Sequence, residues 1–119
     1  MMTQQAVKQY IPEIVACLRP LDPARVILFG SGAHDHPEAE VNDVDLIVVT
    51  KAEDVPQSYR EKEDIYLVVA QALRDIRRRI PLDLIVHTRA MHAKFTELDS
   101  QFARHVLEEG IVIYESDHP

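Results

Sequence analysis

The segment Asp43-Val44-Asp45-Leu46-Ile47-Val48-Val49 decides the fold of this chain. Its apolar run, extended to Thr50, is short and rich in β-branched residues, which predicts a buried strand. Almost the same pattern returns as Asp83-Leu84-Ile85-Val86, within a second predicted strand over residues 82–87. Each of these strands begins beside an aspartate, and we expect the two to be neighbours in one sheet.

Two further strands flank this pair in the sequence. An apolar run over residues 25–29 lies between Pro23 and Gly30, and a last short strand is predicted over residues 111–114. Between Ser31 and Asn42 the residues are small, polar and acidic, which predicts a short helical turn followed by a loop.

Apolar side chains that recur every three or four positions predict three helices. The first contains Pro12, so it either starts there or kinks there. The second runs from about residue 57 to residue 79 and is ended by Pro81, while Gly110 ends the third. The third helix carries the apolar stripe Met91, Phe95, Leu98, Phe102 and Val106. The predicted class is α/β (α+β), a small mixed β-sheet with helices packed on it.

Length and composition restrict the function. The 119 residues, 46% hydrophobic and 28% charged, predict one folded domain over residues 1–119 with no room for a separate acceptor domain. A formal net charge of −7 argues against a protein that grips long nucleic acid by neutralising phosphates. The apolar runs are too short to cross a membrane and the N-terminus lacks a signal pattern, so a cytoplasmic protein is expected.

The carboxylates of Asp43 and Asp45 are the first candidate site. Side chains two apart on a strand share a face, with Cα atoms roughly 7 Å apart. Close like charges resist joint ionisation, whereas one or two divalent cations convert them into a metal clamp. All-oxygen ligands favour Mg²⁺. An isolated Asp-x-Asp, however, is more often a turn or cap at a strand end.

Two more features strengthen this interpretation. Gly30-Ser31 stands where a buried strand leaves the sheet, and glycine lets the backbone approach a phosphate while the serine hydroxyl can donate to it. Asp83 would complete a three-carboxylate cluster if its strand lies beside that of Asp45. It could then bind metal and accept the proton of an attacking hydroxyl.

This order of motifs resembles the nucleotidyltransferase superfamily that includes DNA polymerase beta. It is most similar to the minimal nucleotidyltransferase (MNT) halves of HEPN-MNT toxin-antitoxin modules. The resemblance rests on Leu28-Phe29-Gly30-Ser31, Asp43-Val44-Asp45-Leu46 and Asp83. It implies that Gly30 and Ser31 hold the triphosphate of ATP. It also implies that Asp43, Asp45 and Asp83 bind Mg²⁺ and act in catalysis.

The resemblance further implies the reaction and the partner. Members of this type transfer AMP from ATP, in some modules to a tyrosine of a helical HEPN-type toxin, which silences the toxin. Gly32 stands where the family often has an arginine, and Asn42 where it often has a serine. A non-catalytic antitoxin that binds its partner is therefore one alternative, and nucleotide transfer to a small molecule such as an aminoglycoside is another. The sequence leaves a homo-oligomer open.

Other polar and reactive residues have simpler interpretations. His34 and His36 lie in a polar loop with no third nitrogen or thiolate nearby in sequence, and His87 and His92 are expected at the surface. Cys17 excludes an internal disulfide and is expected to be a small buried side chain. The run Arg77-Arg78-Arg79 is interpreted as a solvated cap at a helix C-terminus.

Overall fold

A four-stranded mixed sheet forms the centre of the molecule. The computed structural model describes residues 2–33, 38 and 40–117. The strands β2 (Arg25–Phe29), β4 (Val44–Val49), β5 (Leu82–His87) and β6 (Ile111–Glu115) are arranged in the order β5-β4-β2-β6. Strands β4 and β5 are parallel, and the other neighbours are antiparallel. The predicted α/β class with a small mixed sheet is confirmed.

The register of β4 and β5 places their aspartates side by side. Asp45 pairs with Asp83, and Val48 pairs with Val86, so the two similar sequence patterns lie in step. Because β2 runs antiparallel to β4, its last residue, Phe29, also pairs with Asp45. The C-terminal end of β2 and the N-terminal ends of β4 and β5 therefore lie together at one end of the sheet, next to the turn that follows β2.

Helices cover both faces of this sheet. They are α1 (Gln4–Leu18), α2 (Tyr59–Ala72), α3 (Arg74–Arg79), α4 (Arg89–Glu97) and α5 (Gln101–Glu109). The larger core contains side chains of α1, α2 and α3 on one face of the sheet. The smaller core on the other face contains Ile27, Phe29, Ile47, Val49 and Val106. Alternate residues of each strand thus enter different cores, as the period of a strand requires.

Three helical predictions differ from the structure. Helix α1 begins at Gln4, where Thr3 caps it, and Pro12 lies inside it, so of the two alternatives at Pro12 a helix start is wrong. The predicted second helix is divided into α2 and α3 at Leu73. The predicted third helix is divided into α4 and α5 around Asp99, which has a left-handed φ of 50°. Leu98, expected in its apolar stripe, is 77% exposed because it lies at this corner.

Two short strands were not predicted. Strand β1 (Met2–Thr3) pairs antiparallel with β3 (Glu40–Val41), which attaches the N-terminus beside the segment that leads to Asp43. Two-residue strands leave no periodic signal in a sequence. His34 and His36 lie outside the described residues, and Cys17 is half-buried against the larger core. None of the helices described is both long and apolar enough to cross a membrane.

Candidate active site

The carboxylates of Asp45 and Asp83 lie together at the end of the sheet where the ends of β2, β4 and β5 meet. The two residues are register partners in the parallel pair, and their carboxyl groups lie within hydrogen-bonding distance of one another. The predicted adjacency of their two strands is confirmed.

Electrostatics at Asp45 show how closely the acidic groups are held. Burial of the side chain, together with the negative charges of Asp83 and Asp43, raises the pKa of Asp45 to about 6. The proximity of the Asp83 carboxyl as a hydrogen-bond partner contributes to the same rise in pKa. Such a site favours a proton below about pH 6 and a positive ion above it.

Gly30 is the part of the turn that contacts this pair. It follows β2 with a left-handed φ of 75°, within a 3-10 turn over Gly30–Ala33. A Cβ atom added to Gly30 would overlap Oδ2 of Asp45 and lie 3.2 Å from its Cγ. The absence of a side chain at Gly30 therefore keeps a space open beside the carboxylate, as a close approach of backbone to ligand requires.

The chemistry of the donor groups fits a hard divalent cation. Asp45 and Asp83 offer carboxylate oxygens in contact, and Asp43 lies at the exposed rim, close enough for its charge to act on Asp45. Within residues 2–33, 38 and 40–117, no three acidic, histidine or cysteine side chains already converge on one point. Of the three predicted carboxylates, the structure therefore brings two into contact and places the third nearby.

The structure describes the backbone of the predicted phosphate turn but not all of its side chains. Its backbone forms the expected helical turn directly after β2, and α5 packs against it. The described portion of Ser31 is its backbone, so the predicted role of its hydroxyl lies outside the described structure. Gly30 is thus the residue of the predicted phosphate turn that the structure places beside Asp45.

An aromatic and histidine cluster on the same face was missed by sequence reasoning. His87 is only 9% exposed, so its expected surface position is wrong. Its Nδ1 atom lies 3.1 Å from Nδ1 of His92, and its ring lies 5.2 Å from that of Phe95. The available signal was the alternation of β5, because His87 shares a face with Asp83 and Ile85, towards the smaller core.

The histidine cluster leads to a prediction about pH. Burial is the largest cause that lowers the pKa of His87 to about 4, and the charges of His92 and Lys62 lower it to a smaller extent. The pKa of His92 is also lowered, mainly by burial and less by the charge of Arg25. Because the unfolded chain gains the His87 proton first, stability is expected to fall as the pH drops from about 6.5 to about 4. With allowance for solvent screening, the loss at His87 is about 1–2 kcal/mol.

Urea unfolding across this pH range measures the effect. The variant His87→Phe keeps an aromatic ring in the cluster and should lose this part of the acid sensitivity. The comparison variant His105→Gln changes an exposed histidine on α5 outside this cluster, which separates an effect of the cluster from the loss of any histidine. Identical pH dependence in the wild type and His87→Phe would contradict the prediction.

A mixed sheet that presents paired carboxylates beside a glycine turn defines the class of nucleotidyltransferase-like α/β domains. Residues 13–119 match the family described as "Polymerase beta, Nucleotidyltransferase". The chain therefore belongs to the polymerase beta nucleotidyltransferase family. The resemblance inferred from the motifs Gly30-Ser31, Asp43-Val44-Asp45 and Asp83 is confirmed at this level.

Comparisons beyond the family are distant. One similar solved structure is described as "Crystal structure of the toxin-antitoxin with AMP-PNP". It is 17% identical in sequence, with a TM-score of 0.49, and the alignment covers 90% of this chain and 74% of that chain. No functionally curated protein matches the sequence significantly.

Proposed function

We propose that this protein is a Mg²⁺-dependent nucleotidyltransferase that moves AMP from ATP to a hydroxyl of a partner protein. The observation that carries the proposal is the register pairing of Asp45 with Asp83, with the Asp45 carboxylate directly beside the Gly30 turn. A turn suited to phosphates and a carboxylate pair suited to Mg²⁺ are the two parts that nucleotide transfer needs. Family membership supports the same chemistry.

The residues divide into two groups by role. In the proposal, Gly30 and Ser31 hold the triphosphate, while Asp43, Asp45 and Asp83 hold one or two Mg²⁺ ions. When bound, Mg²⁺ supplies positive charge that stabilises the negative charge gathering on the phosphates. The acceptor oxygen forms a bond to the α-phosphorus of ATP as the bond to the bridging oxygen of the β-phosphate breaks. Pyrophosphate leaves, and Asp83 receives the hydroxyl proton.

We infer that the acceptor belongs to a separate protein. Residues 2–33, 38 and 40–117 form the sheet and the helices packed on it, and these elements include no separate unit that could hold an acceptor. The motif resemblance points to an antitoxin that modifies a helical HEPN-type toxin. The solved structure described above is a toxin-antitoxin with AMP-PNP, but its similarity to this chain is too low to support this inference.

Labelling with ATP tests this function. The protein is incubated with α-labelled ATP, Mg²⁺ and the product of a neighbouring gene for a small helical protein, and label on that product is measured. Asp43→Asn should reduce labelling by about a hundredfold or more, because it removes one proposed metal ligand. Asp64→Asn makes the same charge change on an exposed part of α2 and should label normally. Equal labelling by both variants would exclude the proposed site.

Neutralisation by contact alone is the second candidate. It is favoured by Gly32 and Asn42, which depart from residues that the family often has at these positions. The two functions differ in one result. If Asp45→Asn neutralises the partner as well as the wild type does, contact suffices; if it binds the partner but fails to neutralise, transfer is required.

A further inference from the structure

Strand β5 forms one edge of the sheet, with β4 on its other side. Two hydrogen bonds flank the ladder between them: the N–H of Val44 donates to the carbonyl of Pro81, and the N–H of Thr50 donates to that of His87. In a parallel ladder, alternate residues of a strand direct both backbone groups to the same neighbour. The odd-numbered residues of β5 therefore direct their backbone N–H and C=O groups towards β4. Leu82, Leu84 and Val86 direct their backbone groups outward.

These outward groups are a ready site for another strand. Across the described part of the chain, no backbone group of another element pairs with Leu82, Leu84 or Val86. Leu84 and Ile85 are only half-buried, so the middle of the edge is open to solvent. Unpaired N–H and C=O groups on a sheet edge are a template for pairing with an extended chain.

A groove of about 360 Å³ follows the same edge. Tyr59 and Tyr66 of α2 line one wall, and Met91 of α4 lines the other. Tyr59 is 81% exposed, which leaves its ring free to cover a bound chain. Aromatic and thioether side chains suit alternating side chains of an extended peptide. The groove thus offers pockets next to the backbone groups that would bind the peptide.

We propose that an extended segment of the protein substrate pairs with the β5 edge as a fifth strand and presents its acceptor hydroxyl opposite Asp83. This inference rests on the proposed nucleotidyl transfer. Paired residues on neighbouring strands lie about 4.8 Å apart and project from the same face. A serine, threonine or tyrosine opposite Asp83 therefore lies on the face that carries the carboxylates of Asp83 and Asp45.

The chemistry requires no group beyond the residues and the Mg²⁺ named in the proposed function. The hydroxyl oxygen of the peptide forms its bond to the α-phosphorus of ATP, the bond to pyrophosphate breaks, and the hydroxyl proton passes to Asp83. The edge strand supplies the positioning, which is the main requirement when two substrates must meet. An acceptor segment bound in this way also explains how the described sheet and helices can select a substrate.

Amide hydrogen exchange tests the docking surface without nucleotide. The probe is a mixture of ten-residue peptides with one tyrosine, serine or threonine at the centre and apolar residues at alternate flanking positions. We expect the amides of Leu84 and Val86 to exchange at least tenfold more slowly with the peptides present. Those of Ile85 and His87, already directed to β4, should be unchanged. Unaltered exchange at Leu84 and Val86 would overturn the proposal.

A matched pair of variants tests the role of the edge in transfer. Val86→Pro removes an outward N–H without removing a ladder hydrogen bond, and proline is tolerated at such edge positions. Val86→Ala also removes the valine side chain but keeps the backbone N–H of residue 86. We expect Val86→Pro to label the peptides at least tenfold less than Val86→Ala, with ATP affinity alike in both. Equal labelling would overturn the proposal, and if Val86→Pro does not fold, the exchange experiment decides.

The two readouts separate this proposal from the function on which it rests. Protection of Leu84 and Val86 without labelling of any acceptor supports the docking surface and contradicts the transferase function. Labelling of a whole partner protein without protection at the edge supports the transferase and overturns the docking surface. Protection of the same amides in concentrated protein alone would instead identify a second copy of the chain as the occupant, which also overturns it.

Discussion

Replacing Gly30 by alanine is expected to reduce nucleotidyl transfer by about a hundredfold or more. The new methyl group would overlap Oδ2 of Asp45, so either the carboxylate or the turn has to move. Displacement of a reacting group by about 1 Å is sufficient for a loss of this size. The change therefore acts on the site through geometry, without altering any charge.

The same substitution also carries a conformational cost. Gly30 has a φ of 75°, a region that costs alanine roughly 1–2 kcal/mol. Ala33→Gly is the matched control, because it weakens the other end of the same turn by roughly 0.5–1 kcal/mol and places no atom beside Asp45. Urea unfolding and labelling with α-labelled ATP measure both properties. A Gly30→Ala protein that stays folded and retains a third of wild-type transfer would contradict the assigned role of this glycine.

Much of the sheet could be predicted because its strands are short apolar runs with clear ends. The predicted strands over residues 25–29 and 82–87 coincide with β2 and β5, and the strand after Asp43 coincides with β4 except at Thr50. Proline or glycine bounds β2 and the start of β5, and β-branched residues are frequent in all three segments. The repeated Asp-Leu-Ile-Val pattern also predicted that the two strands lie together.

The breaks in the helices could not be predicted in the same way. Apolar spacing continues through Leu73 and across residues 98–100, so a periodic pattern predicts one helix where the chain makes two. The second break depends on Asp99 in a left-handed conformation and on Ser100, which caps α5 through its hydroxyl. A capping residue inside an apolar pattern competes with continuation of the helix, and packing decides between them.

The candidate site shows a similar division. Asp45, Asp83 and Gly30 were identified from their positions at strand ends, since residues there share an edge once the strands are neighbours. His87 was not, because its burial depends on Phe95 of α4 returning over the sheet. That return follows from the helix corner, which the sequence pattern does not indicate. Local position therefore predicted the carboxylates, and tertiary packing determined the histidine cluster.

Replacing Asp45 by asparagine is expected to lower transfer about a thousandfold while making the protein more stable. The wild-type carboxylate is partly buried and faces the negative charges of Asp83 and Asp43, which is unfavourable above its raised pKa of about 6. Asparagine keeps the shape without the charge. At pH 8 the gain is about 1 kcal/mol after allowance for solvent screening. The functional group and the source of instability are thus the same side chain.

Asp22→Asn is the contrasting control for this prediction. The Asp22 carboxylate pairs with Lys51 and accepts a hydrogen bond from Tyr114, and these contacts lower the pKa of Asp22 to about 2. Its replacement should therefore destabilise the fold and leave transfer intact, the reverse of Asp45→Asn. Added Mg²⁺ should raise the melting temperature of the wild type and of Asp22→Asn but not of Asp45→Asn. Equal stabilisation of all three proteins by Mg²⁺ would show that the ion binds elsewhere. That result would contradict the proposed role of the Asp45 carboxylate as a Mg²⁺ ligand.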